Sequence, residues 1–146
     1  METTRILIID DEPDFTSLLK ENLEEVGNFE VMEVNDSAQA LSAAIEFQPE
    51  LCIIDVVMPG MDGGDVVAQF RAEPAVRDVA ILMLTALVEE NAEASDGETL
   101  TGGLPFVSKT SEFGTILSCI EKHLEEHRDR EPAEAPPKPP EVWDLS

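Results

Sequence analysis

Short runs of apolar residues alternate with longer segments of helical period along the first 130 residues. This alternation restricts the fold more than any other feature. Four runs are continuous, as in parallel strands covered on both faces, and they occupy residues 6–9, 51–54, 80–84 and 104–107. A more polar run at residues 31–34 indicates another strand near an edge. Strands that alternate with helices predict an α/β fold, a doubly wound sheet of five parallel strands.

The segments between the runs have the apolar spacing of amphipathic helices. Pro13 is predicted to open the first helix, where proline is tolerated, and Gly27 to end it. Its predicted inner face consists of Phe15, Leu18, Leu19, Leu23 and Val26. Asp36 or Ser37 is predicted to cap the second helix, and Ser111 the last one.

The charge of the chain restricts its partners. Nine Lys and Arg against 32 Asp and Glu give a net charge of −23. Such acidity argues against a nucleic-acid or anionic membrane surface on this domain and favours basic partners or divalent cations. No apolar run approaches the ~18–20 residues of a membrane span. Cys52 and Cys119 lie in apolar runs without metal-type spacing, which predicts buried, reduced thiols in a cytoplasmic protein.

The composition changes near residue 131. Five of the 10 prolines lie in residues 131–146, which predicts an extended or disordered acidic tail or linker after a single domain at 1–130. Within the domain, residues 88–101 have few apolar anchors and predict only a short, loosely held helix.

Polar residues follow four of the five predicted strands where each strand ends. They are Asp10 and Asp11 after the first strand, Asp55 after the third, Thr85 after the fourth and Lys109 after the fifth. The carboxyl ends of parallel strands meet at one edge of the sheet, so these side chains are expected to converge there. Clustered carboxylates suit Mg²⁺, and a lysine and a hydroxyl suit phosphoryl oxygens. The pattern predicts a phosphoryl-transfer site, and the chain contains no nucleotide-binding glycine motif.

Four motifs carry a resemblance to the receiver domains of two-component response regulators. They are IIDDEP at residues 8–13, IDVVMPGMDG at 54–63, LTA at 84–86 and FVSK at 106–109. Their order and spacing match the family over roughly residues 4–127. The resemblance implies a flavodoxin-like sheet of order 2-1-3-4-5.

The resemblance also implies a role for each matching residue. Asp55 is expected to accept a phosphoryl group from the phosphohistidine of a sensor histidine kinase or phosphotransfer protein. The Mg²⁺ ligands are expected to be Asp10, Asp11, Asp55 and the backbone carbonyl of Val57. Lys109 and Thr85 would contact the phosphoryl group, and the switch would consist of Phe106, Thr85 and Ala86. The output would act on a downstream effector protein or through an output domain in the same chain.

Other interpretations of the same residues remain open. An aspartyl-phosphate phosphatase would need an acid two positions after Asp55, where this chain has Val57, so an enzyme is not predicted. A non-phosphorylated pseudo-receiver scaffold is the alternative. The presence of all five site residues argues against it, but Thr110 keeps it open, since the family usually has proline after the lysine. The Lys109–Thr110 bond could be cis or trans, although a cis bond to threonine costs ~2.5–4 kcal/mol. Taken singly, an Asp pair after a strand is often only a helix cap.

Overall fold

Five parallel strands form one sheet in the order β2-β1-β3-β4-β5. The computed structural model describes residues 3–85 and 104–130. The strands are β1 (Thr4–Ile9), β2 (Phe29–Val34), β3 (Leu51–Asp55), β4 (Ala80–Thr85) and β5 (Phe106–Ser108). This architecture confirms the predicted doubly wound sheet and its strand order.

Four α-helices are described around the sheet. They are α1 (Pro13–Val26), α2 (Ala40–Phe47), α3 (Gly63–Arg71) and α4 (Phe113–Arg130). Gly27 follows α1 with a φ of 96°, as a terminating glycine should. Of the two predicted caps for the second helix, Asp36 accepts the N–H of Ala38 and starts a 3-10 turn that leads into α2. The last helix starts at Phe113, two residues after the predicted cap at Ser111.

The apolar strands are buried on both faces, as their continuous runs predicted. In β1, Leu7 and Ile9 belong to a cluster with side chains of α2 and α3, whereas Ile6 and Ile8 face side chains of α1 and α4. The helices thus cover both faces of the sheet and leave its strand ends as the accessible edge. Among the described residues, no helix is long and apolar enough to cross a membrane.

The predicted inner face of α1 is partly wrong. Leu18 and Val26 are 58% and 47% exposed, and Thr16 is buried in their place. Thr16 can be buried because its hydroxyl donates a hydrogen bond to Glu33 Oε1 at 2.7 Å. Apolar periodicity alone does not reveal such a satisfied polar residue. The predictions for residues 88–101 and for the tail at 131–146 lie outside the described residues.

Candidate functional site

The sheet brings the predicted site residues to one edge. Ile9 pairs with Ile54, so Asp10, directly after β1, lies level with Asp55, the last residue of β3, which pairs with Leu84. Thr85 pairs with Ser108, which places Lys109 beside the end of β4. Carboxylate oxygens of Asp10, Asp11 and Asp55 all lie within 4.8 Å of one another. The strand register therefore places three carboxylates and one lysine at a single site.

Asp10 is the most deeply buried of the three acids and is held by its own loop. Its Oδ1 accepts the N–H of Glu12 at 3.0 Å. The side-chain amide of Asn35 donates to the Asp10 carbonyl at 2.8 Å and to Thr16 Oγ1 at 3.0 Å. Asn35 and Thr16 were not predicted to support the site, because polar residues at a strand end or inside a helix carry no distinctive sequence pattern. Together they fix the loop that carries the two aspartates.

Asp55 ionises less readily than an ordinary aspartate. Burial and then the charge of Asp10 raise its pKa from 3.8 to about 6, although Lys109 and the N–H of Val57 act in the opposite direction. The Val57 N–H lies 3.4 Å from Asp55 Oδ1. Negative charge is thus concentrated at this edge and only partly neutralised by the chain itself.

The helix that follows Asp55 approaches it closely because it begins with glycine. A Cβ atom at Gly63 would overlap the carbonyl oxygen of Asp55. The N–H of Gly63 donates to the carbonyl of Val56 at 2.9 Å. Asp62 and Asp65 form a reciprocal cap at the start of α3. Gly63 therefore allows α3 to begin directly beside the end of β3. This role of Gly63 was not predicted from the sequence.

Lys109 reaches all the way into the carboxylate cluster. Its Nζ lies 2.9 Å from Asp10 Oδ2 and 3.6 Å from Asp55 Oδ2, and it donates to Glu12 Oε1 at 2.6 Å. The Phe15 ring lies against the same ammonium, 5.0 Å from its centroid. Burial opposes the charged form of Lys109, but the hydrogen bonds and charges of the surrounding acids outweigh burial and raise its pKa. Glu12 and Phe15 were not predicted as neighbours of Lys109.

The loop after Lys109 adopts a trans backbone. Residues 3–85 and 104–130 contain no cis peptide bond, so the Lys109–Thr110 bond is trans. The N–H of Thr110 donates to Ser108 Oγ at 3.1 Å, and the two hydroxyl oxygens are 2.8 Å apart. A pair of hydroxyl side chains thus braces the turn that directs Lys109 toward the aspartates.

The remaining predicted site residues are Thr85, Phe106, Val57 and Ala86. Thr85 is buried at the end of β4, and its carbonyl accepts the N–H of Lys109 at 2.9 Å. Phe106 is buried on the sheet face that also carries Met83. The side chain of Val57 is 67% exposed. Ala86 lies outside the described residues.

The donor set fits a magnesium ion. Asp10 Oδ2 is buried, and no group among the described residues offers it a well-directed hydrogen bond, although Lys109 lies near it. Clustered carboxylates repel one another unless cations balance them, and Lys109 supplies only one positive charge for the three aspartates. Three carboxylates with hard oxygens are ligands that Mg²⁺ prefers. The cluster therefore has the chemistry of a divalent-cation site.

Known proteins similar to this chain share one kind of domain. Residues 6–121 match the family model of the response regulator receiver domain. The DNA-binding dual master transcriptional regulator RpaA of Synechocystis is 31% identical over 133 residues, which cover 90% of this chain and 53% of RpaA. A protein-glutamate methylesterase/protein-glutamine glutaminase of Rhodospirillum rubrum is 32% identical over 124 residues, covering 83% of this chain and 32% of that protein. The chain thus spans about half or less of these curated relatives.

Solved structures show the same architecture. The Vibrio cholerae chemotaxis protein CheY4 superposes with a TM-score of 0.69 at 24% identity, covering 83% of this chain and 98% of CheY4. A response regulator receiver domain protein of Methanospirillum hungatei gives a TM-score of 0.71 at 22% identity, covering 88% and 98% of the two chains. At these identities the likeness describes the fold.

Proposed function

Because this chain belongs to the response regulator receiver domain family, we propose that it is a signalling module controlled by phosphorylation of Asp55. In the proposed reaction, an Asp55 carboxylate oxygen attacks the phosphorus of a phosphohistidine on a sensor kinase or phosphotransfer protein. The new O–P bond makes an acyl phosphate, and the P–N bond breaks with its electrons returning to the histidine nitrogen. The product is a modified receiver, so the chain acts as a switch rather than as an enzyme with a released substrate.

The arrangement around Asp55 carries this proposal. Both of its oxygens face a group that can stabilise transferred negative charge, since Oδ1 lies near the Val57 N–H and Oδ2 near Lys109 Nζ. Asp10 is less suited to attack, because it is completely buried and its Oδ1 is occupied by the Glu12 N–H. Lys109 and the hydroxyl of Thr85 would bind phosphoryl oxygens, so that catalysis is positioning and charge neutralisation.

Asp10, Asp11, Asp55 and the carbonyl of Val57 are proposed to hold Mg²⁺. The ion would supply the positive charge that lets an anionic phosphodonor approach three carboxylates. Without it, burial and then the charge of Asp10 raise the pKa of Asp55. The chain's own contribution is to fix the loop of Asp10 through Asn35 and to aim Lys109 from the opposite side.

Phosphorylation is proposed to act through the buried side chains next to the site. It adds ~−1.5 to −2 charge beside Thr85 and Lys109 and so favours a conformation in which both contact the phosphoryl group. Phe106, on the strand beside Thr85, would move with it, together with Ala86. The signal would then pass to a downstream effector protein or to an output domain, and neither step requires nucleic acid or membrane contact by this domain.

Labelling with a small phosphodonor tests the proposal. The protein is incubated with phosphoramidate, whose P–N bond resembles that of phosphohistidine, and the intact mass is measured. We expect one added phosphoryl group that requires Mg²⁺ and is lost in Asp55→Asn. Asp78→Asn is the matched control, because Asp78 is an exposed acid outside the site, and it should label like the wild type. Equal labelling of Asp55→Asn and wild type would overturn the proposal, and failure of every protein to label would favour the pseudo-receiver scaffold.

A further inference from the structure

Lys109 makes its shortest polar contact with a residue outside the carboxylate cluster. Its Nζ lies 2.6 Å from Glu12 Oε1, compared with 3.6 Å from Asp55 Oδ2. The two partners occupy different environments, because the Glu12 side chain is 61% exposed and that of Lys109 only 13%. The ammonium is thus held between solvent-exposed Glu12 and buried Asp10, whose Oδ2 is 2.9 Å away, and it lies farther from Asp55.

The backbone of Glu12 is fixed while its side chain is not. The Glu12 N–H donates to Asp10 Oδ1, and its carbonyl accepts the N–H groups of Phe15 and Thr16 at the start of α1. The side chain therefore extends from a rigid point, and its described hydrogen bond is the one from Lys109. Exposed ion pairs are weak, so a stronger anion next to Lys109 can replace Glu12 at little cost.

We infer that Glu12 is a positioning residue that holds Lys109 at the mouth of the site until a phosphoryl group competes for the lysine. The inference rests on the proposed function, because the competitor is the phosphoryl group on the donor or on Asp55. A phosphoryl group has more negative charge and more acceptor oxygens than the Glu12 carboxylate. Lys109 would leave Glu12 as that group arrives, while Phe15 stays beneath the ammonium.

We call the contact between Glu12 and Lys109 the lock. It acts on phosphodonor binding rather than on the transfer step. While Lys109 Nζ contacts Glu12 it stays 3.6 Å from Asp55 Oδ2, so it must move away from Glu12 to bind a phosphoryl group beside Asp55. The lock therefore raises the phosphodonor concentration that gives half the maximal labelling rate. Glu12→Gln should lower this concentration about two- to fivefold, the range that one exposed ion pair supplies, and leave the maximal rate nearly unchanged. If Glu12 only stabilised the fold, its replacement would not lower the half-maximal phosphodonor concentration while leaving the maximal rate unchanged.

Two further variants separate the lock from simple charge repulsion. Glu12→Asp keeps the negative charge but is one methylene shorter and cannot maintain the 2.6 Å contact, so it should behave like Glu12→Gln. Asp14→Asn removes the same charge from the exposed first turn of α1 and should label like wild type. If repulsion alone operates, Glu12→Asp labels like wild type and the lock is wrong.

A double-mutant cycle tests whether Glu12 acts through Lys109. Labelling with phosphoramidate and Mg²⁺ is measured for Glu12→Gln, Lys109→Met and the double variant. The effect of Glu12→Gln should disappear when Lys109 is absent, and an unchanged effect in the Lys109→Met background would overturn the inference. Loss of Asp55-dependent labelling in all proteins would instead refute the proposed function. Normal Asp55-dependent labelling with no change in Glu12→Gln would refute only the lock.

Discussion

Replacing Asp55 by asparagine is expected to stabilise the metal-free protein, although it removes one partner of an ion pair. Burial and the charge of Asp10 raise the pKa of Asp55 from 3.8 to about 6. Each unit of such a shift means that ionised Asp55 costs the native state about 1.4 kcal/mol. Asparagine has nearly the same shape and no charge. At about pH 7.5 the free energy of unfolding should therefore rise by about 1–3 kcal/mol, the lower value allowing for screening by solvent.

The extra stability of Asp55→Asn over the wild type should be largest at high pH and should decrease as the pH falls. Native Asp55 binds its proton at a higher pH than unfolded Asp55 does, so the wild type gains stability as the pH falls from about 6 toward 3.8. Asparagine binds no proton in this window. The advantage of Asp55→Asn is therefore complete above the folded-state pKa of about 6 and shrinks as the pH falls below it.

With magnesium present, the wild type should be more stable than Asp55→Asn. An ion that binds only the native state, at a hundred times its dissociation constant, adds about 2.7 kcal/mol to wild type, and the variant that has lost a ligand gains much less. Urea unfolding followed by far-UV circular dichroism, at about pH 7.5 and about pH 5 with and without Mg²⁺, measures these terms. Asp78→Asn is the control and should change stability by less than about 0.5 kcal/mol. Metal-free Asp55→Asn that is no more stable than wild type at the higher pH, or that gains equally at the two pH values, would contradict this expectation.

Three further predictions concern the neighbourhood of the site and the tail. Deleting residues 131–146 should leave the melting temperature nearly unchanged, because a proline-rich acidic segment has little apolar surface to bury, and a drop of several degrees would show that the tail docks. In the receiver family, the residues two after the phosphoacceptor and two after the threonine flank the path of the attacking water, and in this sequence they are the apolar Val57 and Leu87. Phosphorylated Asp55 should therefore persist for many minutes, because neither side chain can orient a water. Val57→Asn and Leu87→Glu should then each shorten its lifetime, by less than about a hundredfold, and decay of the wild type within seconds would contradict this. Thr110→Val removes the hydroxyl that braces the Lys109 turn and should cost about 0.5–1.5 kcal/mol of stability and slow labelling, whereas an unchanged rate would show that the hydroxyl pair is not needed.

The sheet and the position of the site could be predicted because both follow from local patterns. Continuous apolar runs indicate strands covered on both faces, and the order of the strands along the chain brings Asp10, Asp55 and Lys109 to one edge whatever the details of the loops. Helix ends marked by Pro13 and Gly27 were also predicted correctly. These features depend on few residues that are close together in sequence.

The supporting contacts could not be predicted because they join distant parts of the chain. Glu12 and Lys109 are 97 residues apart, and Asn35 and Asp10 are 25 apart. Each contact depends on loop positions that no periodicity reveals. The exposure of Leu18 has a related cause. The buried face of α1 is narrower than its apolar residues suggest, because Thr16, hydrogen-bonded to Glu33, occupies part of it.

Reductive trapping of the phosphorylated residue tests the central claim most directly. Borohydride reduces an acyl phosphate to an alcohol, so protein labelled with phosphoramidate and Mg²⁺ is reduced, digested and sequenced by mass spectrometry. The account predicts homoserine in place of aspartate at position 55, with Asp10 and Asp11 unmodified and no homoserine when a chelator is present during labelling. Homoserine at position 10 or 11, or trapping at Asp55 that does not depend on Mg²⁺, would contradict it.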